Sequence, residues 1–558
     1  MSDRRRFALA VVAVLAVALA ARTITLYWSP YPATLDGIAY ADQARDTLAA
    51  GAFPLAEFRA DNIGWAGTLA VAAAVFDVRP ITLAQPLVAV IGTASCLVGI
   101  ALVRRLGAAT GLSGRATTVA AVLSGFGLAV EGLYLRRTGV PDEEALALLL
   151  LPLLVVALDG TLTARRRTRR IAWLGAALPI MIVFPLTHTF STLMAALSVT
   201  GLFVLRIADA PTRYRIGLGG LLVGGFWLYF AAYYEFARRT VLNVPYVGRV
   251  TGHPGLFLAW IVVLVVGLVW FRTASPRGRR AAFAGPVAVG FATVLVNTVV
   301  PVFPGTVPSP PGLVALLFAL LVPVAFATAS VPRLAGIDRA AVVLAALLAA
   351  PVVHAYFSLS ASLTPEFFAT VMRTQTFAHL STLALAALTA GRLVDRGGRP
   401  SLGSVRFASP GVRGLAIVVL VAALLVTTPI AFVDLDTFTY PSTTTESEFA
   451  VATFAATEVP GAWSSDHVIT RIAVHYYGRS GAIRPTAAWL RGGPPPDCPV
   501  VSLASWTETG AHFFPAAPAT IEPDRYRAWI ALEHQVYASG GYDPPVVTVP
   551  RTNTTAGC

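Results

Sequence analysis

Residues 4–46 read RRRFALAVVAVLAVALAARTITLYWSPYPATLDGIAYADQARD, and their order decides the class of the molecule. Three arginines precede about twenty mostly apolar residues, enough to cross a bilayer as a helix, and an acidic segment follows. Small residues at Ala20 and Ala21 resemble a leader cleavage site, but the apolar stretch is too long for one and reads as a retained span with a cytoplasmic N-terminus. The rest of the chain repeats this pattern. Of 558 residues, 56% are hydrophobic and 13% charged, and mean hydropathy is +0.69, whereas soluble domains carry about 25% charge. These values exclude a soluble protein.

Apolar runs long enough to span lie near 7–27, 82–103, 116–133, 144–160, 171–187, 189–206, 216–234, 256–271, 284–302, 313–330, 341–358, 375–391 and 413–433. Every cation is an arginine. Before Asp434 there are 35 arginines and 17 acids, and from it onward 7 arginines and 12 acids, so the net charge of +13 hides an acidic tail and predicts no nucleic-acid partner. Of the 35, 25 fall in alternate gaps, among them Arg165, Arg166, Arg167, Arg169 and Arg170, which are expected to be cytoplasmic. The expected fold is a polytopic α-helical membrane protein of about 13 transmembrane helices. It divides into residues 1–433, with a first external loop at 28–81, and an extracellular domain at 434–558. An Asn553-Thr554-Thr555 sequon suits that side of the membrane. The tail reads as small α/β, with a helix near 448–457, a strand at 468–474, and turns at 492–498 and 538–545. Cys498 and Cys558 could pair there, and no His or Cys spacing suggests a metal or a cofactor. No internal repeat is evident.

Several polar groups are candidates for chemistry. Asp36 stands just after the first span, ahead of an amphipathic helix near 39–53, where it serves either as a base for a hydroxyl or as a helix cap. YLRRTGVPDEEAL packs Arg136, Arg137, Asp142, Glu143 and Glu144 between two spans; acids after a proline also favour a helix start, and the arginines suit a lipid phosphate. His188 and Thr189, in FPLTHTFS, are too polar to face lipid, and His188 is either a cavity or a packing residue. Arg373, with Gln375 and His379 nearby, either snorkels to headgroups or binds the phosphate of a lipid-linked donor. Arg238, Arg239, Arg249 and His253 read as headgroup contacts.

In this order, Asp36 with Tyr40, GVPDEE, THTFS, VMRTQTFAH and the tail segment EFAVATFAATEVPGAWSSDHVITRIAVHYYGRSG resemble the GT-C superfamily of membrane glycosyltransferases, which use polyprenyl- or dolichyl-phosphate sugars. The chain departs from oligosaccharyltransferases in lacking an evident WWDYG motif, offering only TAAWLRGG around Trp489. It departs from many single-sugar enzymes in having Gly37 where an acid often follows Asp36. The whole chain is most similar to archaeal dolichyl-phosphate-mannose mannosyltransferases of surface-layer N-glycosylation. That resemblance implies a dolichyl-phosphate-linked donor, a glycan or glycoprotein acceptor, Asp36 as base, and Arg373 with Arg136 or Arg137 at the departing phosphate. Asp142, Glu143, His188 and Tyr40 would line the donor site. A lipid-linked-sugar flippase and an oligosaccharyltransferase-like enzyme are the alternatives.

Overall fold

The computed structural model describes residues 3–240, 242, 247–303, 308–395, 401–402, 405–406, 410–432, 444–513, 516–540, 543–551 and 558. Its helices, in chain order, are α1 (Asp3–Thr23), α2 (Leu35–Ala50), α3 (Ile63–Phe76), α4 (Pro80–Ala109), α5 (Gly114–Val130), α6 (Gly132–Gly139), α7 (Glu143–Thr163), α8 (Arg167–Thr187), α9 (Thr189–Asp209), α10 (Arg213–Arg238), α11 (Val247–Thr251), α12 (Pro254–Thr273), α13 (Pro276–Val296), α14 (Pro311–Phe318), α15 (Leu321–Ser330), α16 (Arg339–Ala361), α17 (Pro365–Val394), α18 (Pro410–Thr427), α19 (Glu446–Thr457), α20 (His467–Tyr477), α21 (Arg484–Leu490) and α22 (Pro523–Leu532). Twelve helices among the described residues are long and apolar enough to cross a membrane, and the bent pair α5–α6 makes a thirteenth. The protein is a multi-pass membrane protein.

The expected third span, 116–133, is not one straight helix. It breaks at Glu131, and α6 leaves α5 at 65°. Glu131 caps the new helix, its carboxylate accepting from the amides of Leu133 (2.9 Å) and Tyr134 (3.0 Å) and meeting His379 Nδ1 at 2.6 Å. The carbonyls left at the end of α5 go to a buried cation. Arg22 donates to Leu128 O (3.1 Å) and Ala129 O (3.4 Å), and to Thr138 Oγ1 of α6 (2.6 Å). Two glycines make room for the break. A Cβ on Gly132 would stand 1.9 Å from Thr427 O, and one on Gly92 would stand 2.0 Å from Thr138 O.

The chain divides into two compact units, one comprising residues 1–22, 55–65 and 88–431 and the other residues 23–54, 66–87 and 432–558. In the first, α7 and α9 are largely buried, and an ion cluster gathers at the far end of α7. Asp159 pairs with Arg206 and Arg339, each at 2.6 Å, and Asp209 lies 3.6 Å from Arg272. The second unit joins α2 to the tail: Tyr31 stacks on Phe449 at 4.3 Å, and Arg45 lies over the Tyr476 ring at 4.6 Å. Trp463, Trp489 and Trp506 are fully buried in its core.

Strands are few. They are β1 (Ser401–Leu402), β2 (Val405–Arg406), β3 (Val500–Leu503), β4 (Ala511–Phe513), β5 (Ala516–Ala519), β6 (His534–Ala538) and β7 (Pro545–Val549). In the tail, β3, β7 and β6 form one antiparallel sheet in that order, and β4 pairs with β5. The strand expected at 468–474 is helical: it lies within α20. Its β-branched residues suggest a strand, but Asp466 caps the amides of Val468 and Ile469, and Gly478 closes the helix at φ 64°. Val468, Ile469, Ile472 and Ala473 then share one buried helical face. The amphipathic helix of the first loop begins at Leu35, four residues before the expected start, and α3 is a helix that the polar reading of 28–81 did not anticipate. Cys498 and Cys558 form a disulfide. The Asn553 sequon lies outside the described residues.

Glu448 completes a capping box at the start of α19, accepting from the Thr445 amide at 2.7 Å. Burial pushes its pKa up to about 7, with the neighbouring charges of Asp543 and Asp466 adding to the shift. A carboxyl whose folded pKa exceeds its unfolded value stabilises the protonated state, so its contribution is complete below the unfolded value near 4.5 and is lost as pH rises through about 7. Hydrogen exchange in α19 of the full-length protein should therefore be slower at pH 5 than at pH 8 after correction for intrinsic rates. Glu448→Gln should flatten that difference.

Candidate functional site

Asp142 is the cap of α7, its Oδ1 accepting from the Glu144 amide at 3.2 Å. Acids are favoured in a first helical turn, but here tertiary packing also buries them: Glu143 and Glu144 are 4% and 1% exposed. Buried carboxylates require partners. Glu144 lies between two arginines, Arg137 Nε from the end of α6 at 3.6 Å and Arg373 Nη1 from α17 at 3.5 Å. Both separations exceed a good hydrogen bond, so the two guanidinium groups share one carboxylate without closing on it. Glu143 meets His188 Nε2 at 3.7 Å and shares a hydrogen bond with Asp142. Two carboxyl groups joined this way hold one proton between them. Burial opposes charge on Asp142, but the Glu143 hydrogen bond and the charges of Arg373, His188 and Arg137 outweigh it and hold its pKa below the ordinary carboxylate value.

His188 is the single residue between α8 and α9. Its Nδ1 contacts Ser191 Oγ at 2.8 Å, and burial lowers its pKa, so the imidazole is neutral. His188 makes no side-chain cap for the helix it precedes. Asp61 supplies one from a distant segment, its Oδ2 accepting from the Thr189 amide at 3.2 Å and from Thr189 Oγ1 at 2.6 Å. Arg59 lies 3.2 Å from the same carboxylate. The Tyr233 hydroxyl donates to Ala60 O at 2.5 Å, and Gly64 is needed because a Cβ there would stand 2.5 Å from Thr187 Oγ1.

Thus Arg137, Asp142, Glu143, His188 and Arg373, which are far apart in sequence, converge within the first unit, with Arg136 half-buried beside Arg137 on α6. Asp36 and Tyr40 belong to the second unit. Asp36 is exposed as the second residue of α2, and because Thr34 is the cap residue, the capping alternative for Asp36 does not hold. Tyr40 is buried, at 4% exposure. Asp61, Arg59 and Glu131 carried no assignment from sequence. Glu131 had a readable signal, an acid inside an apolar run, whereas Asp61 looked like any other loop acid. Arg249 was read as a headgroup contact but donates to Thr370 of α17 at 2.5 Å. Among the described residues no three His, Cys, Asp or Glu side chains group as metal ligands.

No protein-family model matches the chain, and no curated protein matches its sequence. Solved structures do. The Archaeoglobus fulgidus oligosaccharyltransferase in its apo form is 14% identical with a TM-score of 0.55, over 91% of this chain and 71% of that one. The same organism's oligosaccharyltransferase AglB, in complex with an inhibitory peptide and a dolichol-phosphate, is 14% identical with a TM-score of 0.53, over 90% and 70%. ArnT from Cupriavidus metallidurans, bound to undecaprenyl phosphate, is 14% identical with a TM-score of 0.37, over 96% and 97%. The likeness to the archaeal oligosaccharyltransferase gives the fold that the two chains share.

Asp61→Ala should strip the Thr189 amide and hydroxyl of their acceptor and cost about 2 kcal/mol, the usual range for an orphaned buried donor. Asp61→Asn retains an acceptor and should cost about half as much. Thermal unfolding of the purified protein, with hydrogen exchange at the start of α9, measures both.

Proposed function

We propose that this GT-C-fold protein transfers a single sugar, mannose, from dolichyl phosphate to a glycan on a surface glycoprotein at the outer face of the membrane. The observation that carries this reading is the pair Arg137 and Arg373, held either side of the buried Glu144 at 3.6 and 3.5 Å. Two guanidinium groups that share one carboxylate this loosely suit a second anion, and their planar donors match a phosphate. Asp36 takes the proton from the acceptor hydroxyl. The hydroxyl oxygen attacks the anomeric carbon, and the bond from that carbon to the phosphate oxygen breaks with inversion. Dolichyl phosphate leaves with the bonding electron pair, and the arginines stabilise the charge that accumulates on it.

The orientation, with N-terminus inside and tail outside, rests on the arginine asymmetry and is supported by the Cys498–Cys558 disulfide, a bond that persists in oxidising compartments. Protease added to intact cells should then remove an epitope placed after Asp434; full protection would reverse the orientation.

Deleting the gene and weighing surface glycoproteins by mass spectrometry tests the reaction. Loss of one terminal hexose supports single-sugar transfer. Loss of the whole glycan supports the oligosaccharyltransferase-like reading, with which the fold likeness to AglB is compatible. In the deletion strain Asp36→Asn should insert normally yet lower transfer by about 10²- to 10⁴-fold, the usual contribution of a general base. Arg373→Ala should weaken donor use by roughly 10- to 150-fold, the equivalent of one charge-assisted hydrogen bond, and Arg373→Lys should recover only part of it because the fork is lost.

A further inference from the structure

Two arginines meet at the end of α17 that is remote from Arg373. Arg392 follows Arg373 by nineteen residues, or about 28 Å of helix, close to the thickness of a hydrocarbon core. The proposed reaction makes no use of it. Two contacts fix this end of the helix. A Cβ on Gly391 would stand 2.8 Å from Ala116 O, so the last turn is pressed against α5. The Thr389 hydroxyl donates to Phe326 O of α15 at 2.7 Å, and Ser330 Oγ meets the same hydroxyl at 2.6 Å. Thr389 has given its one proton to the carbonyl, so Ser330 is the donor between them. That pair sets the register of the two segments. Three residues beyond Thr389 stands Arg392, and three beyond Ser330 stands Arg333, in the short 3-10 helix Val331–Ala335. The charge that acts on Arg392 is accordingly that of Arg333.

Among the described residues neither guanidinium has a hydrogen bond or a carboxylate. Other arginines on this face are supplied with acceptors. Arg206 and Arg339 share Asp159, each at 2.6 Å. Arg272 donates to Ala335 O (2.8 Å) and Gly336 O (2.7 Å) at the end of the 3-10 helix, and Arg279 donates to Phe271 O and Arg272 O, each at 2.7 Å. The acids closest in sequence are committed as well. Asp395 Oδ2 accepts from the Ser113 amide at 3.3 Å, and Asp338 caps α16, accepting from the Ala340 amide at 2.8 Å, with Arg105 at 3.8 Å. From Arg392 to Arg413 the sequence has five arginines and one acid, Asp395. Arg392 is half-buried and Arg333 is exposed, so the pair can be reached from outside the helix bundle. Like charges held side by side repel, and partial burial raises the cost.

We propose that Arg333 and Arg392 clamp the phosphate of one anionic phospholipid headgroup, bridging the 3-10 helix after α15 to the end of α17. The site goes beyond the transfer reaction and does not depend on it. At the end of a membrane span the abundant anions are phospholipid phosphates, and a guanidinium fork matches a phosphate in shape and charge. Basic pockets between spanning helices are one form that headgroup sites take. A phosphate between the two guanidinium groups replaces their repulsion by charge-assisted contacts, so the lipid fastens the ends of α15 and α17 to each other.

Full-length protein in a neutral maltoside detergent should be titrated with phosphatidylglycerol, with phosphatidylcholine and with inorganic phosphate, and bound lipid counted by native mass spectrometry. The wild type should bind its tightest phosphatidylglycerol about tenfold more strongly than phosphatidylcholine, the equivalent of one charge-assisted hydrogen bond. Arg392→Ala and Arg333→Ala should each weaken that step about tenfold. Because the two side chains hold one phosphate, the double variant should lose clearly less than the product of the two single losses. Arg392→Lys should keep part of the affinity. Arg333 is exposed, so its variants report on the site even if Arg392→Ala does not fold. The same titration of Arg373→Ala, with both distal arginines in place, should retain the preference, which separates this lipid from one held at the candidate site. Equal affinity for the two lipids, or unchanged binding in the single variants, overturns the clamp. Losses that simply multiply also overturn it, since they mean two separate headgroup contacts. Displacement of the lipid by millimolar inorganic phosphate overturns it in favour of a soluble anion, and loss of the preference in Arg373→Ala assigns the lipid to the candidate site instead.

Discussion

A helix that breaks inside a bilayer leaves amides and carbonyls that hydrocarbon cannot satisfy, and the architecture of the first unit is organised around meeting that requirement at Glu131. The Glu131 carboxylate takes the freed amides of α6, and the Arg22 guanidinium takes the freed carbonyls of α5. Each ion is itself buried, at 0% and 1% exposure, and would be costly without these bonds. The contact of Glu131 with His379 ties α6 to α17. Those two helices carry Arg137 and Arg373, so the same break that needs the ions also brings the two candidate phosphate-binding arginines to one carboxylate.

Helix α7 carries charge at both ends, and the two clusters differ in how they are satisfied. At its far end Asp159 is closely paired with Arg206 and Arg339, both at 2.6 Å. Sixteen residues earlier Glu143 faces His188 at 3.7 Å, and Glu144 faces its arginines at no less than 3.5 Å. The first cluster is held at shorter ion-pair distances than the second.

Much of the fold was legible because spanning a membrane imposes one simple rule, about twenty apolar residues per helix. The thirteen expected spans correspond one to one with the twelve long helices and the α5–α6 pair. The misreadings fall where that rule does not apply. At 468–474 local β-propensity suggested a strand, but a cap at each end and a buried face made a helix. In 28–81 the low hydropathy of the whole loop hid the short apolar helix α3.

Composition and order alone determined that the chain is a polytopic membrane protein, where its spans lie, which charged positions stand at their ends, and that its tail is acidic. These properties are local, or sums of local ones, and need no knowledge of what packs against what. Only the tertiary structure decided that Asp61 caps α9 across 128 residues of sequence, that Arg22 serves the end of α5, and that Glu144 is the point where Arg137 and Arg373 meet. A carboxylate or a guanidinium looks the same in sequence whether it is solvated, snorkelling or paired. What distinguishes these states is desolvation, and desolvation depends on neighbours that the chain brings together only when it folds.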